Sequence, residues 1–243
     1  MKLYAGLLIT SALLLTGCGG AEPAPTPSPS EEQSVEARPE IPVMGQEVRV
    51  LALGDSLFAG YGLASDQAYP VKLEAALRAR GVNARIANAG VSGNTSAEGR
   101  ARLAFTLDNQ ERAPDLVIIS LGGNDMLRGL PPEQTRENLD AILTELDRRK
   151  IKAVIMGLLA PPNMGPEYRA KFDPIFPSLA KKHGAVLVPF FLQAVIGRPD
   201  LIQQDHIHPT AQGLEAIVAA TVEQVAGALP ETAAKTAAPP PPR

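Results

Sequence analysis

Five short apolar runs, separated by segments with helical periodicity, predict an α/β fold. The expected form is a three-layer α/β/α sandwich around a five-stranded parallel sheet. The runs are Val48–Leu53, Ala84–Ala89, Leu116–Leu121, Ala153–Leu159 and Ala185–Phe190. Most lack the strict apolar–polar alternation of a half-exposed strand, which suits strands covered on both faces. Their spacing suits repeated strand–helix units, with a strand order of the flavodoxin type.

Taken in order, Val48–Leu53 is a buried strand that ends in a glycine turn at Gly54. A helix is predicted over Pro70 to Arg80, closed by Gly81, a normal helix stop. After the second and third strands, Glu133–Lys150 places Leu139, Ile142, Leu143 and Leu146 on one helical face. Pro166–His183 contains Pro174 and Pro177, so a kink or two short helices are expected. The last helix runs from about Thr210 to Ala228, and no internal repeat is present.

The 243 residues are 45% hydrophobic, enough for one core of ordinary size. Aromatics make up only 4% and Trp is absent, so that core rests on Leu, Val, Ile and Ala. The formal net charge of -3, with both signs interspersed and no basic block, argues against nucleic acid as a partner. The amino terminus reads as targeting sequence. Lys2 precedes an apolar run, Leu3 to Leu15, that is too short to span a bilayer, so residues 1–17 form a signal peptide. Leu15-Thr16-Gly17-Cys18 resembles a bacterial lipobox, which makes Cys18 the expected lipidation site and the membrane a partner. Cys18 is the only cysteine, so no internal disulfide can form. Two lipid signals on one residue exceed the threshold for stable anchoring. The implied place is the cell envelope of a bacterium. Gly19 supplies no inner-membrane retention signal, so the outer membrane is favoured.

Residues 18–46 are rich in Pro, Ser, Glu and Ala and read as a tether with a reach of roughly 30–60 Å. Residues 230–243 form a second Pro- and Ala-rich disordered tail. One domain, 47–229, lies between them.

Polar segments follow most of the candidate strands. Gly54-Asp55-Ser56-Leu57 follows the first, Gly90-Val91-Ser92-Gly93-Asn94-Thr95 the second, and Gly122-Gly123-Asn124-Asp125 the third. A short connection after the fifth leads to Asp205-His206-Ile207-His208-Pro209. In a parallel sheet all of these converge on the carboxyl edge, where open α/β folds build their sites. A serine is a weak nucleophile until a base takes its proton, and histidine is the usual base. That histidine needs an acceptor on its other nitrogen. Asp205 and His208 are three apart, close enough for this contact. Backbone N–H groups of Ser56 and Gly93, with the amide of Asn124, can then hold a developing oxyanion.

These four segments resemble the four sequence blocks of the SGNH hydrolases, also called the GDSL family. The resemblance runs from about Val48 to Val225. It implies Ser56 as nucleophile, Gly93 and Asn124 as oxyanion residues, and Asp205 with His208 as the supporting pair. Gly-Gly-Asn-Asp-Met-Leu-Arg-Gly-Leu-Pro-Pro-Glu-Gln-Thr (122–135), Ala59-Gly60-Tyr61-Gly62 and Val188-Pro189-Phe190-Phe191 are similar to the thioesterase I/protease I/lysophospholipase L1 branch and its arylesterases. The family's usual glycine between the aspartate and the Ile-His is His206 here, which puts a bulkier, titratable group near the mouth. The expected activity is hydrolysis of carboxylic esters through an acyl-enzyme, without cofactor or metal, by a monomer. Alternatives are an envelope carbohydrate acetylesterase, a non-catalytic binding lipoprotein, or a flavin-binding protein suggested by fold alone.

Tyr69, Met126, Leu127, Leu130, Pro161, Met164 and Phe190 are candidates for an acyl pocket, and Met126–Pro131, flanked by glycines, resembles the family's mobile substrate loop. Rival motifs fare worse. Ser92 fails the nucleophile-elbow pattern at Asn94, and Ser178-Leu179-Ala180-Lys181 has no accompanying β-lactamase segments. Asp205, His206 and His208 lack the further ligands that a zinc site needs, and His183, in a Lys-Lys-His-Gly helix end, is expected to be exposed. Asp55 and Asp125 are expected to support their loops through hydrogen bonds.

Overall fold

The computed structural model describes Val43 and residues 45–230, which belong to one compact unit, Glu40–Arg243. The signal segment, Cys18, nearly all of the tether and the tail 231–243 lie outside the described residues. The sheet is parallel and five-stranded: β1 Val48–Gly54, β2 Ala84–Gly90, β3 Leu116–Ser120, β4 Lys152–Met156 and β5 Val186–Val188. Its order, β2-β1-β3-β4-β5, is the expected flavodoxin-like one. The central strands β1 and β3 are buried almost throughout, which explains their continuous apolar character.

Two strands are shorter than the apolar runs suggest. β4 stops before Gly157, where a Cβ would lie 2.4 Å from the Pro189 carbonyl, so only glycine tolerates this approach. β5 stops before Pro189, which has no N–H to continue the ladder.

Eight helices flank the sheet among the described residues. They are α1 Ser56–Ala59, α2 Tyr69–Ala79, α3 Ser96–Asp108, α4 Gly123–Leu127, α5 Pro132–Arg149, α6 Gly165–Phe172, α7 Ile175–His183 and α8 Ala211–Ala228. α2 packs on α8, α3 on α5, and α5 on α7, which gives a helical layer on each face. The break between α6 and α7 falls at Asp173 and Pro174, so the two-helix alternative holds. α3 was not among the predicted helices. Its buried face consists of Ser96, Gly99, Leu103 and Leu107, too weakly apolar to show as periodicity. Gly99 permits close packing, since a Cβ there would meet Leu121 Cδ1 at 2.3 Å.

The core joins Leu51, Leu53, Leu116, Ile118, Val154 and Met156 of the sheet to Leu73, Leu139, Ile142, Ile217 and Val222 of the helices. Each such side chain contributes about 1.5–3 kcal/mol by leaving water. That rigid slab carries the loops at the carboxyl edge. Among the described residues no helix is long and apolar enough to cross a membrane.

Candidate active site

Ser56 opens α1 directly after β1, at the point where the sheet order turns from β2 on one side to β3 on the other. Asp55, at the N-cap, is buried and accepts from Leu57 N–H at 3.0 Å, which fixes the turn that presents Ser56. Gly60 ends α1 in the left-handed region. The backbone N–H of Ser56 thus sits at the start of a short helix, free of an intrahelical acceptor.

His208 Nε2 lies 2.7 Å from Ser56 Oγ, and its Nδ1 lies 2.6 Å from Asp205 Oδ2. The other Asp205 oxygen accepts from the backbone N–H groups of Ile207 and His208, each at 3.0 Å. Burial works to raise the Asp205 pKa, but the backbone and ring hydrogen bonds from His208 and the Ile207 N–H outweigh it. The carboxyl is held down at about 2. An ionised Asp205 therefore fixes the ring of His208 with Nε2 toward the serine.

Gly93 has φ +83° in a turn closed by Asn94 N–H to Val91 O at 3.1 Å. This left-handed position favours glycine. Asn124, in α4, donates from Nδ2 to Asn94 O at 3.0 Å and makes a 3.5 Å contact with Asp55 Oδ2. Asp125 supports this helix from below, as expected. It is buried, accepts from Ser96 N–H at 2.7 Å, and is bonded to the hydroxyls of Ser96 and Thr135.

The candidate pocket residues divide. Tyr69 does not line the site: it is fully buried, stacked on Phe58 at 5.3 Å and edge-on to Phe191 at 4.9 Å. Its hydroxyl bonds Thr221 Oγ1 at 2.8 Å, because the start of α2 rolls onto α8. Met126 and Leu127 follow Asn124 on α4; Met126 is half-buried and Leu127 exposed. Leu130 is half-buried, and its carbonyl accepts from Tyr168. Pro161 is exposed at the carboxyl side of β4, while Met164 and Phe190 are half-buried. His206 is exposed, and its side chain makes no hydrogen bond to Ser56. Its φ of +60° is one that the family's usual glycine adopts freely. His183 is not exposed as expected: its side chain is 5% accessible between Asp140 and Asp147. Among the described residues no group of three or more His, Cys, Asp or Glu is placed to hold a metal ion.

The sequence reading gave no individual role to three residues near the site. Tyr61 lays its half-exposed ring 4.5 Å from that of His208. Gln203 donates from Nε2 to Tyr61 O at 2.8 Å and to Pro209 O at 2.9 Å, joining the serine and histidine segments. Arg102 bonds Gly54 O and Asn94 Oδ1. Only the aromatic after Gly60 carried any local signal; each of the other two ties a near neighbour to a loop distant in sequence.

A serine hydroxyl on a histidine that is itself held by a carboxylate, at the carboxyl edge of a parallel α/β sheet, defines a serine hydrolase. The sequence family described as GDSL-like Lipase/Acylhydrolase matches residues 52–216, and the chain belongs to it. Curated relatives include an arylesterase of Vibrio mimicus, 39% identical over 66% of this chain and 80% of its own length. Esterase TesA of Pseudomonas aeruginosa is 40% identical over 66% of this chain and 79% of its own. Among solved structures, AlinE4, an SGNH-hydrolase family esterase, is 59% identical with a TM-score of 0.66, covering 77% of this chain and 99% of that one.

Proposed function

We propose that this chain is a serine esterase that hydrolyses carboxylic esters through an acyl-enzyme, with Ser56 as nucleophile. The observation that carries this reading is the continuous Ser56–His208–Asp205 hydrogen-bonded relay. Ser56 Oγ attacks the ester carbonyl while His208 Nε2 takes its proton. Asp205 keeps the tautomer and stabilises the imidazolium. The tetrahedral oxyanion is received by the N–H groups of Ser56 and Gly93 and by the Asn124 amide. Its nitrogen donates to Asn94 O at 3.0 Å, and its other contact, to Asp55 Oδ2, is long at 3.5 Å. His208 then protonates the leaving alcohol, and later activates a water that releases the acid.

The substrates are small aryl and alkyl esters, with thioesters and lysophospholipid as further members of the class. The arylesterase and TesA relatives support this range. Among the pocket candidates, Met126, Leu127, Leu130, Pro161, Met164 and Phe190 are proposed to contact the acyl chain. Domain 47–229 is proposed to work as a monomer, a reading compatible with a relay that lies wholly on one chain. The lipobox supports a lipid anchor on Cys18 and a place in the bacterial envelope, at the outer membrane.

A fluorophosphonate probe followed by peptide mass spectrometry tests the nucleophile. Labelling is expected at Ser56, and Ser56→Ala should abolish hydrolysis of p-nitrophenyl butyrate without loss of fold. Near-wild-type turnover in that variant overturns the mechanism.

A further inference from the structure

The three groups assigned to the oxyanion come from three separate loops, after β1, β2 and β3. Their spacing must hold to a fraction of an ångström for their hydrogen bonds to converge on one oxygen. Arg102, on α3, reaches two of these loops at once. Its Nε donates to Asn94 Oδ1 and its Nη2 to Gly54 O, both at 2.8 Å. Gly54 O also accepts from Val91 N–H at 3.0 Å, and Val91 O from Asn94 N–H at 3.1 Å. These four bonds close a ring around Ser92 and Gly93. The carbonyl of Asn94 then takes the Asn124 amide. Asn94 is therefore shared: its side chain is held by Arg102, and its backbone holds Asn124.

Arg102 is half-buried and, among the described residues, forms no ion pair with a carboxylate. Burial pulls its pKa down with no anion beside it to oppose the effect. A surface ion pair does not explain this geometry. The planar fork meets two oxygens on two loops, a span that the point charge of a lysine cannot reproduce.

Building on the serine esterase reading, we infer that Arg102 is a positioning residue of the oxyanion site, strapping the Gly93 turn and, through Asn94, the Asn124 amide to the Ser56 loop. It touches no substrate; it sets where the donors point. Losing the strap should therefore lower kcat and leave KM nearly unchanged, because ground-state binding of the ester does not depend on donor convergence.

The test uses the full chain with p-nitrophenyl butyrate, comparing Arg102→Ala, Arg102→Lys, Asn124→Ala and the Arg102→Lys/Asn124→Ala double variant, with Ser56→Ala alongside. Both Arg102 variants should lose about 10- to 100-fold in kcat, the cost of a small misplacement, with KM within about twofold. In the double variant the two losses should combine to less than their product, since both act on one network. Should Arg102→Ala fail to fold, Arg102→Lys keeps the charge and most of the stem and answers alone. Arg102→Lys at wild-type kcat, a KM effect without a kcat effect, or fully multiplicative losses would each overturn the assignment. If Ser56→Ala retains activity, the serine mechanism falls and takes the strap with it. If Ser56→Ala is inactive while the Arg102 variants match wild type, only the strap falls.

Discussion

Asp205 and Asp55 lie in neighbouring loops, yet their surroundings push them in opposite directions. Asp205 is held at about 2 and stays ionised through the working range. Asp55 is pushed up to about 6, chiefly by burial, against the opposing Leu57 N–H bond and the attraction of His208. Between the unfolded value near 3.8 and about 6, the folded chain binds the Asp55 proton more tightly than the unfolded chain does. The contribution of Asp55 to stability therefore falls as pH rises through that window. Asp55→Asn keeps an oxygen for Leu57 N–H and removes the titration, so its Tm should fall less than wild type between about pH 4 and 6.5. Parallel Tm profiles would contradict the burial argument. Asn124 is read out in turnover instead. Asn124→Ala should lower kcat about 10²- to 10³-fold, the cost of one oxyanion donor, and a loss under tenfold would remove it from that role. Both residues stood in recognisable blocks, so they were legible in sequence. Arg102 and Gln203 were not: Gln203 works through main-chain oxygens and Arg102 through one main-chain and one side-chain oxygen, contacts that no residue pattern marks.

The elements differ in how openly they announce themselves. α5 was legible because four of its buried residues, Leu139, Ile142, Leu143 and Leu146, are apolar and fall on one face. α3 was not, because half of its buried face is serine and glycine. A local signal existed all the same: Thr95 and Glu98 form a capping box, with Glu98 Oε2 accepting from Thr95 N–H at 2.7 Å. Tyr69 misled for the opposite reason. An aromatic near the nucleophile reads as pocket, and the packing of α2 against α8 buried it. The pairing of α5 with α7 holds a feature that sequence gave no means to see. His183, at the end of α7, sets Nδ1 2.5 Å from Asp147 and Nε2 2.6 Å from Asp140, both on α5. Lys182 also lies on Asp140. Burial pulls the His183 pKa down, but the two carboxylates prevail and raise it above 6.5. A raised pKa means stability fully present below the unfolded value and lost as pH rises through the folded one. Wild-type Tm should fall as pH climbs above the ordinary histidine value of 6.5, and His183→Gln should lose most of that dependence. An unchanged slope in the variant would show that the clamp carries no net proton linkage.

At the scale of the whole molecule, parallel topology explains why so much of the site could be read in advance. Every strand ends at the same edge, so residues 54–57, 90–95, 122–125 and 205–209 meet whatever the details of the helices between them. The same topology separates the two ends of the protein's work. Val48 enters β1 at the amino edge, while Ser56 stands at the carboxyl edge, seven strand residues or about 23 Å away. The lipid anchor proposed on Cys18 would be joined to the domain by the 28 residues 19–46, whose composition gives a reach of roughly 30–60 Å, enough for the site to meet the membrane. Anchoring should then matter for esters held in a bilayer and not for soluble ones. Cys18→Ser in the full chain should lose metabolic palmitate labelling and leave the membrane fraction. Turnover of p-nitrophenyl butyrate should match wild type, while hydrolysis of lysophospholipid in vesicles should drop. A Cys18→Ser protein that still sediments with membranes and still takes up palmitate would refute the anchor. One that is released but hydrolyses vesicle-bound lysophospholipid at the wild-type rate would show that the tether locates the enzyme without presenting it to its substrate.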